Sequence, residues 1–257
     1  MPSIHNLQNN CRLQITTNSN RTDGVRAVEQ NRFLGTFRVR HATLRDAARL
    51  NKFYEHNQHE NNAARQDEVL LKQVRERNIF IVTGEDGQIL AVAGLFEHLD
   101  GDFREFGATR VLGTLGGFGF QELLIAVRHV HAQVLELQPP CIFFATVRPG
   151  AVRSRRNLER LGFVQWDNPD KRLIREKEKL AVEENKLLPK LTFLKIPKDT
   201  VFQNARLVLG WQANPERERI NREDQARERI RVELLIESLL YYRPVVEDLA
   251  SGKTPQK

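Results

Sequence analysis

Four glycines stand close together in the middle of the chain, between a stretch with strand character and a stretch with helical spacing. They are Gly113, Gly116, Gly117 and Gly119. A glycine-rich turn that leads from a strand into a helix leaves main-chain N–H groups exposed at the positive end of the helix dipole, an arrangement that suits a phosphate group. The alternative is a bend that needs glycine only for packing, because such motifs also occur in proteins that bind no phosphate.

Two common phosphate-binding motifs do not fit this turn. No Lys-Ser or Lys-Thr pair follows the glycines, so the turn is not a P-loop of the Walker type. At least three predicted strands precede it, whereas the dinucleotide-binding fold places its glycines after the first strand. Neither of these nucleotide-binding classes is therefore expected.

Alternating and helical patterns of apolar residues predict the elements that position this turn. Their order is strand, two helices, three strands, the glycine turn, helix, strand, helix and strand, which is typical of an α/β fold with one central sheet. Thr43 and Asp46 form a capping box that predicts a helix start, and Gly162 predicts a helix end. The predicted segments are strand 37–41, helices from 43 and over 67–77, strands 79–83, 88–95 and 103–112, a helix from 120, strand 141–147, helix 151–160 and strand 163–166.

The composition changes near residue 168, since nine of the eleven lysines lie at or beyond Lys171. We expect a flexible polar leader over 1–32, an α/β domain over 33–168 and a mainly helical C-terminal extension over 169–257. Pro215 at a first turn and Pro244 beyond an end favour one long helix from 215 to 242. Alternating arginines and acids in its first half fit a solvent-exposed helix. Its apolar second half is expected to pack on the α/β domain or on a second copy of the chain.

The composition also excludes several protein classes. The chain has 257 residues, 40% of them hydrophobic, and 40 Lys and Arg against 33 Asp and Glu give a net charge of +7. These values are typical of a globular protein, and no apolar run is long enough for a membrane span, so we expect a cytoplasmic protein. The two cysteines, Cys11 and Cys141, fit neither a disulfide scaffold nor a metal cluster. Between residues 33 and 168 the 17 basic and 16 acidic side chains nearly cancel, which argues against a nucleic-acid partner.

Three segments in a fixed order resemble the GNAT superfamily of acyl-CoA-dependent N-acetyltransferases. Val39-Arg40-His41-Ala42-Thr43 with Asp46-Ala47 is similar to the family's first strand and capped first helix. Residues 111–124 are similar to its fourth strand, pyrophosphate loop and third helix, and residues 154–163 to its late helix with the Leu-Gly-Phe ending. The resemblance covers roughly residues 37 to 166. It implies a GNAT-like α/β fold with a single mixed, mostly antiparallel central sheet flanked by helices, here followed by the helical C-terminal extension.

The resemblance implies that acetyl-CoA is the acyl-donor substrate, that its diphosphate binds at the glycine turn, and that no metal takes part. The residues implied in donor binding are Val111, Leu112, Gly113, Gly116, Gly117, Phe118, Gly119, Phe120, Gln121 and, on the late helix, Arg155. Main-chain N–H groups make most of the phosphate contacts in such a loop. For Arg155, a solvent-exposed basic helix face is the alternative.

Four positions depart from the family pattern. Gly116 stands where the family usually has Arg or Gln, and Gln121 stands where it has a small residue. Ala151 replaces an asparagine that many members carry, and Leu158 replaces the tyrosine that often serves as general acid. These departures imply an altered donor affinity and the loss of the tyrosine acid.

Acyl transfer from a thioester to an amine needs a group that removes a proton from the amine. In the family this group is often a carboxylate on or near the fourth strand. Glu105 is therefore the first candidate, and Glu97 with His98 is the second. An exposed charge near a hairpin end is the alternative for each of them.

The sequence thus favours an N-acyltransferase that moves an acetyl or other acyl group from CoA to a primary amine of unknown identity. A homodimer through the C-terminal helices is a further expectation, and contact with a membrane is not expected. The alternative is a catalytically degenerate GNAT-like module that binds a protein partner through its helical extension, which the departures at Gly116, Ala151 and Leu158 favour. A weaker alternative is an RNA-associated modifier that uses its basic flanks.

Overall fold

The computed structural model describes residues 31–57, 67–135, 141–148, 150–183 and 191–253. Of the leader expected over 1–32, residues 1–30 lie outside these ranges, and the last two belong to the first strand. The strands are β1 (Asn31–His41), β2 (Ile79–Thr83), β3 (Ile89–His98), β4 (Phe103–Val111), β5 (Ile142–Val147), β6 (Val164–Gln165), β7 (Thr192–Lys195), β8 (Glu216–Ile220) and β9 (Arg227–Leu235). Within the described residues they form one sheet in the order β6-β7-β5-β4-β3-β2-β1-β9-β8. Only the β4–β5 and β1–β9 pairs are parallel there, so the sheet is mixed and mostly antiparallel, which confirms the predicted fold class.

Helices cover both faces of this sheet. They are α1 (Ala47–His56), α2 (Asp67–Arg75), α3 (Phe120–Leu135), α4 (Val152–Arg160), α5 (Lys171–Glu183), α6 (Thr200–Ala213), α7 (Glu237–Tyr241) and α8 (Arg243–Ala250). α1 and α2 pack on one face through an apolar cluster that includes Leu50 and Val74, and α5 adds Leu173 beside Phe144 on the same face. The remaining helices pack on the other face, in the largest core cluster. None of the helices in the described ranges is both long and apolar enough to cross a membrane.

The parallel strands β4 and β5 run side by side only at their first residues. The paired positions are Phe103 with Ile142, Arg104 with Phe143 and Glu105 with Phe144. β4 also carries a bulge, since its register against β3 shifts between Gly107 and Arg110, with Ala108 at a φ of +49°. β4 and β5 therefore separate beyond Glu105. The gap between the two strands extends from Glu105 toward the glycine turn at the end of β4.

The long helix predicted from residue 215 to 242 is wrong. This segment forms the hairpin of β8 and β9, followed by the short helix α7. β9 pairs in parallel with β1, and β8 forms the edge of the sheet. Side chains along β9 alternate between exposed and buried, and Ile230, Val232 and Leu234 enter the main core. The apolar residues that were expected to cover the domain or to contact a second copy are thus largely part of the sheet and core themselves.

Buried polar pairs also join α3 to the C-terminal elements. His129 Nδ1 lies 2.8 Å from the amide nitrogen of Asn204 on α6, and His131 Nδ1 lies 2.6 Å from the Ser238 hydroxyl on α7. All four residues are buried. Because buried polar groups are costly unless they are paired, these contacts fix how the C-terminal helices sit against α3.

Candidate functional site

The glycine turn links β4 to α3 and keeps main-chain donors available. Gly117 and Gly119 both have a φ of +85°, in the left-handed region that favours glycine. The N–H groups of Leu115 and Gly116 close tight turns onto the carbonyls of Leu112 and Gly113. By contrast, the N–H groups of Gly117, Gly119 and Phe120 have no acceptor among the described residues. Gly117 is exposed, Gly119 is half-buried and Phe120 is buried, so the three donors lead from the surface to the N-terminus of α3, a place that suits an anionic group.

The β8–β9 hairpin touches this turn. Arg219 of β8 donates a hydrogen bond to the Gly116 carbonyl, and its guanidinium lies 4.5 Å from the centre of the Phe118 ring. Glu228 of β9 is buried and holds this guanidinium through Nε at 2.7 Å and Nη2 at 2.6 Å. Asn221 donates to the other oxygen of Glu228 at 2.8 Å. The hairpin therefore braces the glycine turn from the side without using the free N–H groups.

Trp211 of α6 lies beneath the same turn. Its ring stands 5.9 Å from that of Phe120, the first residue of α3, and it would be 3.4 Å from a Cβ atom added to Gly119. The Arg217 guanidinium stacks on the Trp211 ring, 3.8 Å from its centre. The turn is thus supported by aromatic packing below and by the hairpin at its side.

Helix α4 is tied to the start of α3. The Asn157 amide donates to Gln121 at 2.6 Å, and Arg160 pairs with Glu122 at 2.6 Å. Arg155 is predicted to bind the acyl donor. In the structure it instead donates hydrogen bonds to Glu159 of α4 at 2.7 Å and to Gln165 of β6 at 3.3 Å. Leu158, at the family's tyrosine position, is buried in the core. α4 therefore offers a polar link to α3 and no tyrosine hydroxyl.

Glu105 lies at the point where β4 and β5 separate, and it is fully bonded. Its carboxylate accepts from the Thr146 hydroxyl of β5 at 2.6 Å and from the Lys177 ammonium of α5 at 2.6 Å. His98 Nε2 of β3 lies 3.1 Å from the same carboxylate, and His98 Nδ1 lies 3.3 Å from Glu176 of α5. We call these five residues the Glu105 cluster.

Two opposing influences set the protonation of Glu105. Burial raises the pKa of a carboxyl group, but the Lys177 ammonium and the His98 hydrogen bond outweigh burial and hold the pKa of Glu105 well below its usual range. The side chain is only 7% exposed. Glu105 is therefore a carboxylate at neutral pH, the form that can accept a proton from an amine.

The second candidate carboxylate lies elsewhere. Glu97 is exposed and forms an ion pair with Arg104 of β4. Strand alternation directs Glu97 and Arg104 away from the face that carries Glu105, because Glu97 pairs with Arg104 and Phe96 pairs with Glu105 in the β3–β4 register. The structure brings Glu105 and His98 together and leaves Glu97 outside their cluster.

A buried arginine lies at the bulge of β4. Arg128 of α3 is fully buried and donates to the carbonyls of Gly94 at 2.6 Å and Gly107 at 3.2 Å, and to the Thr109 hydroxyl at 3.0 Å. Burial lowers the pKa of Arg128 to about 9. The guanidinium stays charged at neutral pH, and its bonds to two strands fix the bulge.

The turn and the Glu105 cluster lie at the two ends of one strand. Six residues separate Glu105 from Val111, which corresponds to about 20 Å of strand. The turn leads into α3 on one face of the sheet, whereas Glu105 faces α5 on the other. A single ligand that engages both must therefore be long and extended, and it must pass through the gap between β4 and β5.

Sequence reasoning missed the partners of both ends. Arg219 and Glu228 lie in a segment interpreted as helix, and Lys177 and Thr146 are 72 and 41 residues from Glu105. The only available signal for Arg219 was the alternation of charged and apolar residues along 227–235, which is typical of a strand. Nothing in the local pattern indicates which carboxylate a lysine on α5 will meet.

Comparisons with known proteins found similar solved structures and no sequence match. No protein-family model and no curated protein sequence matches the chain. The structure is similar to the ribosomal-protein-S5-alanine acetyltransferase of Vibrio fischeri, with 16% identity, a TM-score of 0.47, and coverage of 63% of this chain and 92% of that one. It is similar to a GNAT-family acetyltransferase of Streptococcus pneumoniae, with 14% identity, a TM-score of 0.45 and coverage of 63% and 99%. It is also similar to N-acetylglutamate synthase of Neisseria gonorrhoeae, complexed with coenzyme A and N-acetyl-glutamate, with 19% identity, a TM-score of 0.44 and coverage of 62% and 34%.

At these identities and TM-scores the likenesses do not decide what this chain binds or transfers. The fold is shown by the arrangement of the chain's own elements. Their order from β1 to β6 and the position of the glycine turn ahead of α3 are those that the three sequence segments predict. The described elements form one open, mostly antiparallel sheet that is flanked by helices and extended at its edge by the β8–β9 hairpin, which is the arrangement expected from the resemblance for β1 to β6.

Proposed function

We propose that the protein transfers an acetyl or other acyl group from a CoA thioester to a primary amine. The observation that carries the proposal is that N–H groups without an acceptor among the described residues and a buried carboxylate lie toward the two ends of β4, joined by the gap between β4 and β5. A CoA thioester is an extended molecule with a diphosphate far from its reactive carbonyl. A short donor such as an acyl phosphate does not reach both ends.

Each end has a defined task in this proposal. The N–H groups of Gly117, Gly119 and Phe120 bind the diphosphate, and the main chain at the β4 bulge faces the thioester. The amino group of the acceptor replaces the Lys177 ammonium beside Glu105 and gives its proton to the carboxylate, and His98 lies in contact with the same carboxylate. Proximity and orientation supply much of the rate in such a site.

Acetyl-CoA binding and turnover test the proposal together. A ligand that binds only the folded state raises the unfolding midpoint, so acetyl-CoA at millimolar concentration should raise it, and acetyl-pantetheine, which lacks the diphosphate, should raise it less. Release of free CoA thiol in the presence of a panel of primary amines then measures transfer. No stabilisation by acetyl-CoA, and no thiol release with any amine, would contradict the proposal.

A second candidate function is a GNAT-like module that binds a protein partner without catalysis. It is favoured by the direct links between α3 and α4 and by the full set of bonds on the Glu105 carboxylate. Such a module would bind acetyl-CoA weakly or not at all, and no amine would accelerate thiol release. Thiol release in the presence of an amine therefore decides between the two candidates.

A further inference from the structure

The cation next to Glu105 is a primary amine of the chain itself. Lys177 Nζ lies 2.6 Å from the Glu105 carboxylate, and the lysine side chain is 18% exposed. Lys177 reaches this place from α5, which covers the face of the sheet that carries Phe103, Phe144 and Glu105. In the proposed function, the place beside Glu105 is where the amino group of the acceptor binds.

The topology brings this amine toward the donor. Glu105 is the last β4 residue that pairs with β5, and Thr146, from the part of β5 that no longer pairs with β4, donates to its carboxylate. The carboxylate therefore lies at the start of the gap through which an extended thioester would pass. The donor and Lys177 would approach that gap from opposite faces of the sheet, so that the amine and the thioester carbonyl meet within it.

We propose that Lys177 is a self-acylation site, at which the chain transfers the acyl group of a bound CoA thioester to its own Nζ. This inference rests on the proposed acyl transfer. It adds that the first amine the site modifies is one that the fold already holds beside Glu105. The ligand class is the same acyl-CoA donor, and no further reactant is required.

The step balances with the groups present. The Lys177 ammonium loses one proton through Glu105 to solvent, and the neutral amine attacks the thioester carbonyl carbon. The new C–N bond forms as the C–S bond breaks. The second proton from nitrogen goes to the leaving thiolate, so the products are the Nζ-acyl amide, CoA thiol and one released proton.

Peptide mass spectrometry of the full-length protein after incubation with acetyl-CoA tests the inference. Unassisted acylation of lysines follows exposure, so it would modify the exposed Lys171 of the same helix before Lys177. A positioned base typically contributes a factor of about 100 or more, and we expect the acetylated fraction of Lys177 to exceed that of Lys171 at least about tenfold. The rate should also be independent of protein concentration, because the reaction is intramolecular.

Two variants and one binding measurement separate the outcomes. Glu105→Gln should abolish the excess at Lys177 and leave acetylation of Lys171 unchanged. Lys177→Arg should keep the cation but, in the absence of an added amine, release CoA thiol only at the slow rate of unassisted lysine acetylation. Equal or greater modification of Lys171 in the wild-type protein, or a rate that rises with protein concentration, would overturn the self-acylation site. If the wild-type protein binds acetyl-CoA and acylates an added amine while Lys177 stays unmodified, only this inference fails. If it neither binds acetyl-CoA nor releases thiol, the proposed function itself fails.

Discussion

The contact between Arg219 and the Gly116 carbonyl gives a sharp prediction about donor binding. Arg219→Gln removes the guanidinium that braces the turn, while the N–H groups proposed to bind the diphosphate stay in the chain. Without the brace, the turn samples other conformations. The apparent affinity for the donor is then reduced in proportion to the fraction of molecules that keep the binding-competent conformation.

The expected size of the effect follows from the lost interactions. A hydrogen bond from a charged group contributes about 1.5 to 3 kcal/mol, and the stacking of Arg219 on Phe118 adds about 0.5 kcal/mol. Since about 1.4 kcal/mol corresponds to a factor of ten, we expect the Kd for acetyl-CoA to rise about thirty- to three-hundredfold.

Loss of Arg219 also leaves Glu228 buried without its cation, which costs about 3 to 5 kcal/mol of folding stability. The double variant Arg219→Gln with Glu228→Gln removes both charges and should regain much of that stability. Its donor affinity should remain low. Arg229→Gln is a matched control, because Arg229 lies on the same hairpin, is exposed, and opposes Glu218 on β8 away from the turn.

Calorimetric titration with acetyl-CoA and with acetyl-pantetheine, which lacks the diphosphate, measures the effect. The variants should bind acetyl-CoA more weakly and acetyl-pantetheine as the wild-type protein does. Wild-type affinity of the Arg219 variant for acetyl-CoA would refute the reasoning. So would an equal loss for both donors, because that would indicate general damage to the fold and not a brace on the diphosphate site.

Three further predictions follow from the same contacts. Gly119→Ala should lower the free energy of unfolding by about 1 kcal/mol, because a φ of +85° is unfavourable for alanine, and should weaken acetyl-CoA binding; urea unfolding and titration measure both effects. The pKa of Glu105 lies below its unfolded value of about 4.3, so its contribution to stability is present above that pH and is lost as pH falls toward the folded pKa. Lys177→Met removes the main cation that lowers this pKa, so acid unfolding, followed by circular dichroism, should begin at a higher pH than in the wild-type protein. In Glu105→Gln, the part of the pH dependence that comes from this carboxylate should be absent. Arg128→Met removes the buried donor at the β4 bulge and should cost about 3 kcal/mol or more in urea unfolding, without the selective loss of acetyl-CoA affinity that marks Arg219.

The first two thirds of the fold could be predicted because its signals are local. Thr43 and Asp46 lie three residues apart, and the predicted capping box forms, with the Thr43 N–H donating to Asp46 at 2.9 Å. A short turn at Leu44–Asp46 precedes α1, so the helix proper starts a little later than expected. The glycine turn could be placed for the same reason, since strand, turn and helix are consecutive.

The charge pattern of the C-terminal hairpin fits a helix as well as a strand. Alternating Arg and Glu over 216–231 satisfies spacings of three and four residues as well as a spacing of two, so charge alone did not distinguish helix from strand. The deciding pattern is apolar: Ile230, Val232 and Leu234 recur at every second position and are all buried. β9 pairs with β1, which lies almost 200 residues earlier in the chain. This pairing depends on the whole sheet, so the local sequence of β9 does not predict it.

The candidate site likewise combines residues that the local sequence predicts with contacts that depend on distant parts of the chain. Glu105 could be singled out through its predicted strand, yet its protonation and its contacts depend on Lys177 and His98, which reach it from other elements. The brace on the glycine turn is 103 residues from the carbonyl that it binds. Tertiary contacts of this range decide how a motif is used, and they follow from the fold and not from the motif.

Amide chemical shifts on isotope-labelled protein test the central claim most directly. If the free N–H groups at the start of α3 bind the donor diphosphate, addition of acetyl-CoA should shift the amide resonances of Gly117, Gly119 and Phe120 most strongly, and pyrophosphate should shift the same resonances at higher concentration. Shifts that appear elsewhere while these three stay unchanged, or no shifts at saturating acetyl-CoA, would contradict it.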